Sequence, residues 1–165
     1  MSQRNKVASV ARAEIGYVEG PKDNETKYQK TNQAWCGAFV NWVFDQVGVK
    51  IPDCTSTLAG ANAFKKAGKW QDAEGATPEV GDLVFFDFPG DGVDRISHIG
   101  IVTVVDPTQP GIVRCIEGNT AGEKKKSTDE RNGGEVARKD RAYLKKNAKS
   151  APVFVVGFGK PTFKN

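Results

Sequence analysis

Apolar positions at helical spacing occupy the first part of the chain, and apolar runs of strand length occupy the second. From Ser2 to about Ile15, Val7, Val10, Ala11 and Glu14 share one helical face and Gly16 supplies a stop. Trp35 to Val47 carries the clearest stripe, with Phe39, Trp42, Val43, Phe44 and Val47 ahead of Gly48. Thr55 to Ala67 predicts a third helix ended by Gly68, with Thr55, Ser56 or Thr57 able to cap it. The segment Gly20 to Gln33 between the first two helices is polar and contains Pro21, Asp23 and Asn24, so it is expected to be a loop.

Strand patterns then take over. Leu83–Phe88, His98–Val105, Gly111–Glu117 and Val153–Phe158 are rich in β-branched and aromatic residues, and Val136–Arg138 adds a weaker one. Helices first and an antiparallel meander second predict an α+β fold with the N-terminal helices packed on one face of the sheet. No internal repeat or linker interrupts the pattern, so residues 1–165 read as a single domain.

Charge and cysteine content narrow the chemistry. The formal net charge is +4 with dispersed basic residues, which suits solubility and gives no nucleic-acid footprint. No run approaches the roughly 18 apolar residues of a membrane span. No apolar h-region follows Met1, so no Sec-type signal peptide is expected. The cysteines Cys36, Cys54 and Cys115 are odd in number and lack a C-x-x-C pair, which excludes a disulfide framework and argues against structural zinc.

Three residues carry the candidate chemistry. Cys36 falls at the start of the second predicted helix, where free N–H groups and the helix dipole favour a thiolate. A small buried hydrophobe is the alternative reading of the same cysteine. His98 is the chain's one histidine, so any imidazole base must be this one. In an antiparallel meander the start of the His98 strand lies beside the end of the next, which can bring Glu117 to the ring. A carboxylate there fixes the tautomer and stabilises the imidazolium. Glu117 otherwise reads as a solvated charge, and Asn119 as a turn residue.

The ordered blocks Ala34-Trp35-Cys36-Gly37-Ala38-Phe39-Val40, Gly81-Asp82-Leu83-Val84-Phe85-Phe86, Ser97-His98-Ile99-Gly100-Ile101-Val102 and Ile116-Glu117-Gly118-Asn119 resemble a CHAP domain. These cysteine, histidine-dependent amidohydrolases/peptidases are related to the NlpC/P60 papain-like hydrolases. The segments Ile15–Gly20 and Thr26–Tyr28 resemble the entry to CHAP domains of phage endolysins. The resemblance implies a papain-like fold with Cys36 as nucleophile, His98 as base, Glu117 as orienting acid and Asn119 as a further polar site residue. It also implies a polar oxyanion donor before the nucleophile, for which Tyr28 and Gln33 are the candidates, with Tyr28 favoured. Trp35 is then expected as a cleft wall and Trp42 as a core residue, with both as simple core residues the alternative reading.

No cofactor is expected. Some CHAP domains hold calcium, but Asp23, Asn24 and Glu25 lack the spaced acidic pattern. The second cluster, Asp87, Asp91 and Asp94 with Gly90 and Gly92, reads as a polar turn. The expected partner is bacterial peptidoglycan, the expected state a monomer, and the expected setting synthesis in a host cytoplasm followed by holin-type release to the wall. A non-catalytic wall-binding or phage-tail module with a relict site, or a protein-processing protease, are the alternatives.

Overall fold

The computed structural model describes residues 1–90, 92–147 and 152–164. Helix α1 spans Gln3–Ala13, with the Ser2 hydroxyl accepting from the Asn5 N–H at 3.3 Å and Val7, Ala8 and Ala11 buried. Helix α2, Cys36–Val47, is the apolar centre of the molecule. Every residue from Cys36 to Val40 is buried, as are Val43 and Phe44, and the helix ends on Gly48 in the left-handed conformation. Only a glycine takes that φ of +70° without strain, which explains the stop. Helix α3, Thr57–Lys66, takes its cap from Ser56, whose hydroxyl accepts from the Ala59 N–H.

Six strands form one antiparallel sheet: β1 Trp70–Asp72, β2 Leu83–Phe86, β3 His98–Val104, β4 Ile112–Thr120, β5 Glu135–Ala142 and β6 Val155–Gly159. Their order across the sheet is β1-β6-β2-β3-β4-β5. The arrangement is therefore α+β, as the pattern predicts. Helix α1 packs against α2 and β3, and α2 packs against β3 and β4. Phe39, Val40, Val43 and Phe44 meet Leu83, Phe85, Ile99, Ile101 and Ile116 in the main core. A second apolar cluster, with Val84, Phe86, Val102, Val113, Tyr143 and Phe158, includes residues of the opposite strand face. Full burial of each large side chain contributes about 1.5–3 kcal/mol, so α2 is held chiefly by this packing.

Two strands depart from expectation. Strand β1 has only three residues, too few for an alternating pattern to register, and pairs with β6. Strand β5 runs eight residues where three are predicted, because its charged side chains are paired across the strands. Arg114 Nε, for example, donates to Asp140 Oδ1 at 2.7 Å.

The segment Asp53–Thr55 crosses the first turn of α2. Asn41 holds it there: its Oδ1 accepts from the Cys54 N–H at 3.0 Å and its Nδ2 donates to Asp53 at 2.7 Å. A Cβ at Gly37 would stand 1.7 Å from the Cys54 carbonyl oxygen, so this close crossing requires glycine there. Thr57 then donates to the Ile96 carbonyl at 3.2 Å, linking the same segment to the approach of β3.

Candidate active site

Helix α2 begins at Cys36 with Trp35 as its cap residue, and no side chain caps that end. The first backbone N–H bonded within the helix is that of Phe39, to the Trp35 carbonyl at 2.9 Å. The N–H groups of the first turn are thus left to act on whatever occupies the helix start. Cys36 itself is buried, at 5% exposure.

His98 opens β3 and is fully buried. Its Nε2 lies 3.0 Å from Glu117 Oε2. The opposite ring nitrogen, Nδ1, is buried with no hydrogen-bond partner among the described residues, and the Cys36 thiol is one of the groups that act on the ring's charge. Geometry therefore leaves Nδ1 for the thiol and Nε2 for the carboxylate. Burial by itself would depress the His98 pKa, but the Cys36 and Glu117 contacts outweigh it and raise it to about 9. The imidazolium is the favoured form at neutral pH.

Register explains how Glu117 reaches the ring. Ile101 pairs with Ile116 in β3–β4, so the next position sets Glu117 across from Gly100, two residues from His98 on the same strand face. A Cβ on Gly100 would come within 2.8 Å of Glu117 Cγ, so the missing side chain makes room for the carboxylate. Glu117 is completely buried. Burial would raise its pKa, yet hydrogen bonds from Arg141 and His98 reverse the effect and hold it well below the usual carboxylate range.

Arg141, which sequence reasoning passed over, is the principal partner. Its Nε donates to Glu117 Oε1 at 2.8 Å and its Nη2 to Oε2 at 2.7 Å. The same Nη2 reaches Glu130 Oε2 at 2.6 Å, and Glu130 also pairs with Lys139 at 3.1 Å. Cys115 Sγ donates to Glu117 Oε1 at 2.9 Å, and Thr120 Oγ1 lies 3.5 Å from Oε2. Alternation within β5 places Arg141 on the Glu117 side, but that signal needs the strand's true length.

Asn119 is buried at φ +55° beside Glu117, and its amide serves the turn that follows. Nδ2 donates to Asn132 at 2.8 Å and Oδ1 accepts from the Gly134 N–H at 3.0 Å. Both ends of the amide are thus engaged with the 132–134 turn, next to the site rather than on the ring.

Tyr28 and Trp35 pack together behind the helix start. The Tyr28 hydroxyl donates to Glu14 Oε2 at 2.5 Å, and burial together with that carboxylate holds its phenol well above the ordinary range. The Tyr28 hydroxyl is thus engaged with Glu14. Trp35 is fully buried: its ring stacks on Tyr28 at 5.5 Å and its Nε1 donates to Glu19 at 2.7 Å. It lies in the core, while Trp42 is half-buried. Trp42, Tyr28 and the exposed Gln33 line a shallow cavity of about 240 Å³ beside Ala38 and Thr55.

Among the described residues, no three His, Cys, Asp or Glu side chains converge as a metal site requires. Asp23 Oδ2 accepts from the Asn24 amide at 3.1 Å. Asp87 and Asp94 line a cavity of about 480 Å³ with Asp72 and Glu74. Asp91 of that predicted cluster lies outside the described residues. Among the described residues, no helix is long and apolar enough to cross a membrane.

Comparison with known proteins agrees with this geometry. A family profile described as "CHAP domain" matches residues 27–119, a span that contains Cys36, His98, Glu117 and Asn119. No curated protein sequence matches the chain. Among solved structures, NlpC2 from Trichomonas vaginalis superposes with a TM-score of 0.57 at 13% identity, over 99% of this chain and 48% of that one. A protein from Staphylococcus aureus, described as similar to a lipoprotein of the NLP/P60 family, gives 0.52 at 15% identity, over 96% of this chain and 41% of that one. The chain spans less than half the length of either, and the likeness at these identities is one of fold.

Proposed function

The chain belongs to the CHAP domain family, a family of cysteine hydrolases, and from that premise we propose that it cleaves an amide bond of bacterial peptidoglycan. The observation that carries the reading is the buried row Cys36–His98–Glu117, with the thiol at an uncapped helix start. The Cys36 thiolate attacks the amide carbonyl and forms a tetrahedral intermediate. The developing oxyanion is assigned to the Cys36 backbone N–H, with exposed Gln33 as the side-chain candidate to join it. The imidazolium of His98 passes its proton to the leaving amine as the C–N bond breaks, leaving a thioester. Water then attacks the thioester, His98 takes its proton, and the thiolate and acid product separate. Glu117 holds the ring and stabilises its charge throughout.

The net charge of +4 favours approach to an anionic wall, and the setting we propose is endolysin-like lysis. Mass spectrometry of digested, purified peptidoglycan tests the reading. Freed amines on muramoyl-linked alanine or within the stem and cross-bridge are expected, with casein left intact. New reducing sugar ends without freed amine, or casein cleavage without wall cleavage, would overturn it.

A further inference from the structure

We propose that Arg141 is a positioning residue: it locks the Glu117 carboxylate in the orientation that meets His98 Nε2, and it ties the 127–134 segment to that carboxylate. The inference rests on the proposed hydrolase reading for its kinetic consequence, but its geometric core does not.

Glu117 has two oxygens and no exposure to water, so its rotamer is set by its donors alone. Oε2 faces His98 Nε2, the Thr120 hydroxyl and Arg141 Nη2, while Oε1 faces Arg141 Nε and the Cys115 thiol. Among the described residues only Arg141 engages both oxygens, and its planar fork fixes the carboxylate plane as no single-point donor can. The guanidinium is itself held, lying over the Phe86 ring at 5.2 Å and the Phe88 ring at 5.5 Å. The direction in which Oε2 points is therefore inherited from β5 and from the aromatic pair beneath it.

Charge makes the same point. Glu117, Arg141, Glu130 and Lys139 alternate in sign along one connected chain and sum to zero. Asp129, in the same segment as Glu130, also feels the charge of the His98 ring. Removing the guanidinium would leave Glu117 and Glu130 without their shared cation, with Lys139 still beside Glu130. Glu117 would then face burial with less compensation, and would take a proton at a higher pH. Glu130 has a further effect. Its backbone carbonyl accepts from Thr120 at 3.0 Å, and the turn beyond it is clamped by Asn119. Arg141 thus couples the segment beside His98 to the same carboxylate that orients the ring.

The test uses the full chain with Arg141→Gln, Arg141→Lys and the milder Glu130→Gln, each checked for folding by circular dichroism. Because His98 is the one histidine, the proton NMR signal of its Nε2–H is unambiguous. In the wild type this ring proton is expected downfield and protected from exchange. In Arg141→Gln it should exchange at least about tenfold faster, with Arg141→Lys intermediate and Glu130→Gln closer to wild type. In parallel, the acid limb of kcat/KM on peptidoglycan should move to higher pH in Arg141→Gln, with kcat falling more than KM changes. A folded Arg141→Gln that keeps the wild-type ring proton and acid limb would overturn the proposal. Should Arg141→Gln not fold, an Arg141→Lys ring proton as protected as wild type would overturn it equally. If the wild type frees no amine from peptidoglycan, the functional reading fails while the ring-proton exchange still decides the role of Arg141.

Discussion

Glu117→Gln changes one oxygen for an NH2 group at nearly constant volume, and the structure makes its consequence severe. Every partner of Glu117 is a donor: His98 Nε2, Arg141 Nε and Nη2, Cys115 Sγ and Thr120 Oγ1. An amide offers one accepting oxygen, so either flip turns its NH2 toward donors. One way it meets His98, Thr120 and Arg141 Nη2; the other way it meets Arg141 Nε and Cys115. Breaking a buried ion pair on one side costs about 3–5 kcal/mol. Arg141 keeps Glu130 as a second partner, so the lower end, about 3 kcal/mol, is expected at pH 7.

The sign of the pH dependence follows from linkage. Glu117 has a depressed pKa in the folded state, so its contribution is present above its unfolded value and is lost as pH falls. The stability gap between wild type and variant should therefore hold from pH 7 to about pH 5 and then close by about 1.4 kcal/mol per pH unit below roughly 4.3. Urea unfolding at pH 7, 5 and 3 measures it. A gap below about 1 kcal/mol at pH 7, or one that does not narrow in acid, would refute the reasoning about Glu117.

Other expectations follow from the same geometry. The His98 Cε1–H resonance should titrate near pH 9 in the wild type and at lower pH in Cys36→Ala, where burial is less opposed. Because the folded His98 pKa is raised, its contribution, about 3 kcal/mol, is complete below pH 6.5 and lost as pH rises through about 9; an unshifted midpoint in Cys36→Ala would contradict the thiol–imidazole contact. Gly37→Ala should lose about 3 kcal/mol in urea unfolding, because its Cβ would meet the Cys54 carbonyl at 1.7 Å and force that backbone away. Tyr28→Phe should lose one hydrogen bond, about 1–2 kcal/mol, while kcat stays within about threefold; a fall of about 100-fold would return the oxyanion role to Tyr28.

Much of the fold was legible because its signals are local. The stripe Phe39–Val43–Phe44 and the stop at Gly48 define α2, and Leu83–Phe86 reads as a strand because it is apolar throughout and buried on both faces. Placing Cys36 at a helix start needed only that stripe's first residue. The proximity of His98 and Glu117 needed only a meander. What escaped depends on pairing at long range. Strand β6 inserts between β1 and β2, an order no local pattern encodes. Charged positions in β5 look like loop until Asp140 finds Arg114 and Arg141 finds Glu117. Trp35 looked like a cleft residue by its place beside Cys36, but its burial comes from Tyr28 and Glu19, far back in a loop.

The central claim is that Cys36 carries the acyl group, and intact-mass spectrometry of acid-quenched turnover on purified peptidoglycan fragments tests it most directly. The wild type should show added mass equal to the acyl portion of its substrate and should release free amine. Cys36→Ala, folded, should show neither. Amine release that persists in Cys36→Ala, or an adduct that survives the loss of Cys36, would contradict the account.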